Sequence, residues 1–182
     1  MPNYRRNYVK GGTYCFTVLT YKRQHILQGI AIDLLRESFR GCMTEKPFKI
    51  EAIVILPEHI HCIWKLPPDD SDYPVRWKDT KSAFTKKYIK KVGEPLIKPT
   101  LSMQKKGEKA IWQRRYWEHT INSDEDYKVQ FDYIHYNPVK HGWVKAPKDW
   151  PHSSFHHSVK KGIYTENWAG PPEGFPEGTG GE

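Results

Sequence analysis

Hydrophobic positions along this chain alternate between a period of two and a period near 3.6, and the changes of period divide it into seven elements. Thr13 to Thr20 is rich in β-branched and aromatic residues and predicts a first strand. Between Ile26 and Met43 the apolar residues fall at Leu27, Ile30, Leu34, Leu35, Phe39 and Cys42, which is helical spacing. Pro47 resets the chain, Phe48 to Leu56 reads as a second strand, and Pro57-Glu58 turns into a third that continues to Leu66. After the Pro67–Asp72 loop, a helix is expected from about Pro74 to Val92, with Trp77, Phe84, Tyr88 and Val92 on one face. Residues 93–109, rich in Gly, Pro and Lys, predict a flexible loop, and part of Ile111–Ile121 predicts a last strand. Ser123, followed by Asp124, Glu125 and Asp126, is an N-cap with acids in the first turn. That helix is expected to reach about Tyr136, because Asn137-Pro138 disfavours its continuation. The Gly- and Pro-rich tail from Trp168 is expected to be disordered or to lie along the surface.

Two strand–helix–strand halves around a central hairpin describe an α+β fold, a ferredoxin-like sandwich with an antiparallel sheet. The division that follows is a basic arm at 1–12, one catalytic domain at 13–150, and a C-terminal extension and tail at 151–182.

The third strand carries the first candidate chemistry. His59 and His61 are one pleat apart and share a face, while Ile60, Cys62 and Trp64 share the other. Two imidazoles on a central strand are either a preformed pair of metal ligands or two half-buried histidines with ordinary hydrogen bonds. On the last helix, Tyr127, Phe131 and Ile134 form the stripe that should pack on the sheet. Tyr133 and Asn137, four residues apart, flank that stripe and present a phenol and an amide together at the helix margin. The amide could complete a metal site and the phenol could be a nucleophile; alternatively, Tyr133 packs at the edge and Asn137 caps the helix.

Composition narrows the class of partner. The 182 residues carry a net charge of +8 and are 14% aromatic, which favours an anionic partner with stackable faces, nucleic acid above all. Residues 76–115 hold thirteen Lys and Arg against three acids, an excess of +10, so the charge is concentrated. Lys78, Lys81, Lys86, Lys87, Arg114 and Arg115 are the expected phosphate contacts, and Arg5 and Arg6 of the arm are candidates for reading a DNA groove. Cys15, Cys42 and Cys62 are scattered, as expected of free core thiols in a reducing compartment. With no signal peptide or apolar segment of membrane length, the sequence predicts a cytoplasmic, nucleoid-associated protein.

His59-Ile60-His61 resembles the His–hydrophobic–His (HUH) motif of single-strand DNA endonucleases and transposases. Tyr133 through Gly142 resembles the tyrosine helix of REP-associated tyrosine transposases, relatives of the Y1 transposases. Tyr4-Arg5-Arg6 with Gly11-Gly12-Thr13, Leu56-Pro57-Glu58-His59, Arg115 to His119, and Asp149 to Phe155 also look like this family. The resemblance implies an endonuclease and strand transferase acting on single-stranded DNA that carries palindromic hairpins. It implies Mg²⁺ or Mn²⁺ on His59, His61 and Asn137, Tyr133 as nucleophile, and a 5′-phosphotyrosine intermediate. A monomer or a homodimer would serve. The competing reading is a protein that binds hairpins, repressing or organising palindromic elements without cutting. Among other candidates, Tyr127 belongs to the core stripe and Tyr136 points away from it; His135, His141, His152, His156 and His157 read as surface histidines. A histidine-triad hydrolase is excluded because Ile63 stands where a third alternating histidine would be.

Overall fold

The computed structural model describes residues 6–181; Arg5, with the rest of residues 1–5, lies outside the described part. Its sheet has four strands, β1 (Thr13–Leu19), β2 (Lys49–Ile55), β3 (His59–Lys65) and β4 (Trp117–Thr120). They are ordered β2-β3-β1-β4 with every pairing antiparallel. The histidine strand is therefore central. The principal helices are α1 (Ile30–Glu45), α2 (Tyr73–Lys91), α3 (Leu101–Lys105), α4 (Asp124–Lys140) and α5 (Phe155–Lys160). Cys15, Cys42 and Cys62 are all buried and free. No helix is long and apolar enough to cross a membrane among the described residues.

Strand alternation sorts the core into two layers. Phe16, Ile60, Cys62 and Trp64 meet α1 and α2 through Leu35, Phe39, Trp77 and Phe84. The Trp64 and Trp77 rings stack there at 4.3 Å. Cys15, Val54 and Ile63 meet Phe131 and Ile134 of α4 on the opposite layer, together with Phe155 and Tyr164. The chain beyond residue 150 closes this second layer: Ser154 donates its backbone N–H to Ile53, and Phe155 is fully buried.

Helix starts follow the sequence signals. The Ser123 side chain accepts from the Asp126 N–H at 3.1 Å, and Asp72 caps α2 by accepting from Val75 at 3.2 Å. Helix ends follow them less well. Instead of stopping near Tyr136, α4 runs through Pro138 to Lys140. The proline costs one hydrogen bond in the last turn, but that turn is buried, and its carbonyls are taken up by His141 and Trp143. The 93–109 stretch contains a helix, α3, capped by Thr100 and anchored by buried Met103; five residues are too short to show a period. Val92, expected on the apolar face of α2, is its exposed C-cap.

Candidate active site

The site forms where β3 passes under the C-terminal half of α4. His59, His61 and Asn137 are wholly buried, and Tyr133 is 2% exposed. All four come from one chain. The His59 and His61 ring centroids are 4.7 Å apart, and the Tyr133 ring lies 5.6 Å from that of His61. Asn137 Oδ1 is 3.2 Å from His59 Nε2.

Neighbouring groups engage Nδ1 of both rings. Glu58, buried at the turn before β3, accepts from His59 Nδ1 at 2.9 Å, which leaves Nε2 toward the pocket. Burial pushes the Glu58 carboxyl upward, but the hydrogen bond and charge of His59 outweigh it and hold the carboxyl below its ordinary value. Thr17, opposite His61 in the β1–β3 register, gives its hydroxyl proton to the Gly180 carbonyl. It therefore accepts from His61 Nδ1, at 2.7 Å, which leaves Nε2 of that ring toward the pocket as well. His59 Nε2 lies 3.2 Å from Asn137 Oδ1, a hydrogen bond where the nitrogen carries a proton and two facing acceptors where it does not, and the buried Asn137 Nδ2 has no partner among the described residues. With His59 Nε2 unprotonated, a cation held by both atoms, or a turned amide, relieves the contact.

Tyr133 and Asn137 are less exposed than the helical wheel suggested. The C-terminal segment wraps the outer side of α4, which makes the helix buried on most of its circumference from Gln130 to Pro138. Most of the tail does lie along the surface, but its end turns inward, and Thr179 and Gly180 are buried against the site. A Cβ at Gly180 would overlap the Tyr133 ring, and one at Gly181 would overlap Trp117, so only glycine can sit there. Gly180 also has a φ of 75°, which glycine alone adopts without strain. Sequence reasoning treated glycine as a mark of disorder, whereas here it permits close approach to two rings.

His135 is another correction. It is fully buried, not at the surface, and bonds Ser154 at 2.7 Å and the Tyr164 hydroxyl at 3.2 Å. Burial lowers its pKa to about 3. His156 and His157 are exposed, and His141 is exposed with its ring 5.2 Å from that of His59. The sequence reading counts His141 as a surface histidine and gives no role to Glu58, Thr17 or Lys140, whose Nζ donates to the Tyr133 hydroxyl. Thr17 was recoverable, since pairing β1 with β3 sets it directly across from His61.

The basic residues gather on the other layer. A groove of about 930 Å³ runs between α2 and residues 106–116, with Lys78, Lys81 and Lys86 on one wall and Arg114 on the other. Trp77, Trp112 and Tyr116 contribute aromatic surface to it. Arg6 enters from the arm; its guanidinium bonds the Tyr116 hydroxyl at 2.8 Å and lies 3.7 Å from buried Glu118. Lys81 is partly buried and bonds the Gln113 carbonyl at 2.5 Å. Lys87 pairs with Glu37 of α1 at 3.0 Å, outside the groove lining, and Arg114 pairs with Glu108 at 2.6 Å. Arg115 is exposed and does not line the groove.

Residues 8–137 match the family model described as "Transposase IS200 like". The chain is 43% identical to a REP-associated tyrosine transposase of Escherichia coli over 98% of its own length and 97% of the relative's. It also resembles a solved REP-associated tyrosine transposase bound to a REP hairpin, with a TM-score of 0.77, 43% identity, and 94% of this chain and 93% of that one covered. The chain belongs to the IS200-like transposases, in the group of REP-associated tyrosine transposases.

Proposed function

We propose that this transposase is a metal-dependent endonuclease and strand transferase that cuts single-stranded DNA at the foot of REP-type palindromic hairpins. The observation that carries the reading is the convergence of a phenol, two imidazoles and an amide in one buried pocket of one chain. A hairpin ligand is supported by the structural neighbour, which is bound to a REP hairpin.

His59 Nε2, His61 Nε2 and Asn137 Oδ1 would hold Mg²⁺ or Mn²⁺. The fit rests on His59 Nε2 and Asn137 Oδ1 lying 3.2 Å apart and on two rings whose other nitrogens are already engaged by Glu58 and Thr17. Among the described residues there is no group of three or more His, Cys, Asp or Glu that could hold a metal, so the amide is required as the third donor. When bound, such an ion supplies positive charge to the scissile phosphate.

The chain's own residues do the rest. Tyr133 forms a bond from its phenolic oxygen to phosphorus, and the bond to the 3′ oxygen breaks, leaving a 5′-phosphotyrosine and a free 3′-OH. Because the link remains a phosphodiester, a 3′-OH can reverse the step and join strands with no outside energy source. The groove would grip the hairpin backbone through Lys78, Lys81, Lys86 and Arg114, with Arg6 beside them; Arg5, outside the described residues, is a further candidate contact. Lys87 and Arg115, outside the lining, would meet more distant phosphates. A single chain supplies the whole pocket, so a monomer would suffice. Action on chromosomal palindromes would place the protein with the nucleoid.

Incubation with a single-stranded hairpin and Mn²⁺ tests the reading. A DNA–protein adduct that survives denaturation is expected, lost in Tyr133→Phe and His59→Ala, with hairpin binding kept in Tyr133→Phe. Binding to several palindromes without any adduct would instead establish a non-cleaving hairpin-binding protein.

A further inference from the structure

Lys140 lies seven residues after Tyr133 on α4, almost two full turns, so the two side chains leave the helix on the same side. Its Nζ donates a hydrogen bond to the Tyr133 hydroxyl oxygen and lies 4.7 Å from the centroid of the Tyr133 ring. The phenol is buried, whereas the lysine is exposed at the helix end. An ammonium therefore reaches from solvent onto the oxygen that the proposed function assigns as nucleophile. A donor aimed at the atom where negative charge develops is the arrangement that stabilises a transition state, since no reorganisation is needed as the charge appears. His61 meets the ring edge-on from β3, and Phe175 and Gly180 cover it from the C-terminal segment.

We propose that Lys140 is a catalytic residue that stabilises negative charge on the Tyr133 oxygen, both as it attacks and as it later departs. The proposal rests on Tyr133 being the nucleophile. In the forward step the Tyr133 hydroxyl yields its proton to water and its oxygen bonds phosphorus. The bond from phosphorus to the 3′ oxygen breaks with its electron pair, and the 3′ oxygen takes a proton from water. Lys140 keeps all its protons. In the return step a 3′-OH loses its proton to water and attacks the phosphotyrosine, and the Tyr133 oxygen leaves as a phenolate beside the ammonium before taking a proton back.

The test compares the full chain with Lys140→Met, Lys140→Arg and Tyr133→Phe, using a single-stranded hairpin and Mn²⁺. Single-turnover adduct formation and hairpin affinity are measured separately. Loss of one such donor corresponds to a rate decrease of about 100-fold, which is expected for Lys140→Met, with hairpin affinity held within about twofold. Lys140→Arg should recover most of the rate, and added ethylammonium should partly rescue a Lys140→Ala protein. A substrate whose scissile 3′ oxygen is replaced by sulfur, a better leaving group, should show the same Lys140→Met defect, because the defect lies at the nucleophile. An unchanged rate in Lys140→Met, with the adduct lost in Tyr133→Phe, would overturn the role of Lys140 alone. So would a defect that appears only in affinity or that vanishes with the sulfur substrate. No adduct with the unaltered chain would overturn the nucleophile assignment, and the role of Lys140 with it.

Discussion

Replacing Lys81 with methionine is expected to make the protein more stable and, at the same time, a weaker ligand for hairpin DNA. Lys81 leaves α2 toward the groove floor, where its Nζ bonds the Gln113 carbonyl and lies 5.9 Å from the Trp112 ring centroid and 6.0 Å from that of Tyr116. Burial lowers its pKa to about 8; Glu108 opposes that shift and Arg6 adds to it. An unfolded chain holds the same proton until a pH of about 10.4. Between these two values the unfolded state binds more protons than the folded one, so stability must rise with pH across that window. Below pH 8 the folded protein carries the full cost of the buried charge, about 3 kcal/mol for a shift of this size.

Lys81→Met removes that cost at pH 7 and gives up one hydrogen bond, worth about 1 kcal/mol, leaving a net gain of about 2 kcal/mol. The gain should shrink steadily from pH 8 and be gone near pH 10. Urea unfolding of both proteins at pH 7, 9 and 10 measures this, and the difference between them cancels other titrations. On the proposed function, the same substitution removes one cation from the groove. The slope of log affinity against log salt should fall by about 0.9 at pH 7 and hardly at all at pH 9, where Lys81 of the unaltered protein is mostly neutral. A variant that is less stable than the unaltered protein by the same amount at every pH would refute the reasoning, since it would mean that the ammonium is not desolvated by folding.

Gly180→Ala places a Cβ into the Tyr133 ring at a positive φ, so the tail should leave the pocket. Adduct formation measured on a hairpin should then rise, not fall. Thr17→Val takes away the hydroxyl that holds His61 Nδ1, and Mn²⁺ affinity by calorimetry is expected to drop by about 10- to 100-fold, with the circular dichroism spectrum unchanged. Ser123→Ala removes the cap of α4 and should cost about 1 kcal/mol in urea unfolding; no loss would mean that water replaces the cap.

How much of this could be read from the chain depended on the range of the interaction involved. The sheet, its order and the central place of His59 and His61 follow from strand alternation and the βαβ halves, which are local patterns repeated over many residues. The stripe of Phe131 and Ile134 against the sheet follows from helical period in the same way. Burial of His135 could not be read so, because its partners Ser154 and Tyr164 lie in a segment with weak periodicity that packs only after the sheet exists. The continuation of α4 through Pro138 is a case of tertiary burial overriding a local preference, and it matters to the site. Had the helix stopped at Tyr136, Asn137 and Lys140 would not be held in register with Tyr133. The wheel found Tyr133 and Asn137 as neighbours but not what covers them, since a cover made of Gly180 has no side chain to leave a pattern.

The two layers of the sheet divide the proposed work, and β4 joins them. The basic groove belongs to the layer of Trp64 and Trp77, while the tyrosine pocket belongs to the layer of Ile63 and Ile134. A duplex stem in the groove cannot itself enter the pocket, since the sheet stands between them. On the proposed function, a single strand leaving the stem on the Arg6 side would pass the edge strand β4. There Tyr116 and Glu118 engage Arg6 on the groove side, and the next residue along, Trp117, packs under Gly181 on the pocket side. From β4 to β3 is two strand spacings, about 10 Å, a distance that a few unpaired nucleotides span. Gly180 lies on the Tyr133 ring and Gly181 on Trp117, so a strand taking that route would have to displace both. Binding of the stem and entry of the strand are thereby separable events, and a variant altered only in the tail should change the rate of cutting without changing affinity for the hairpin.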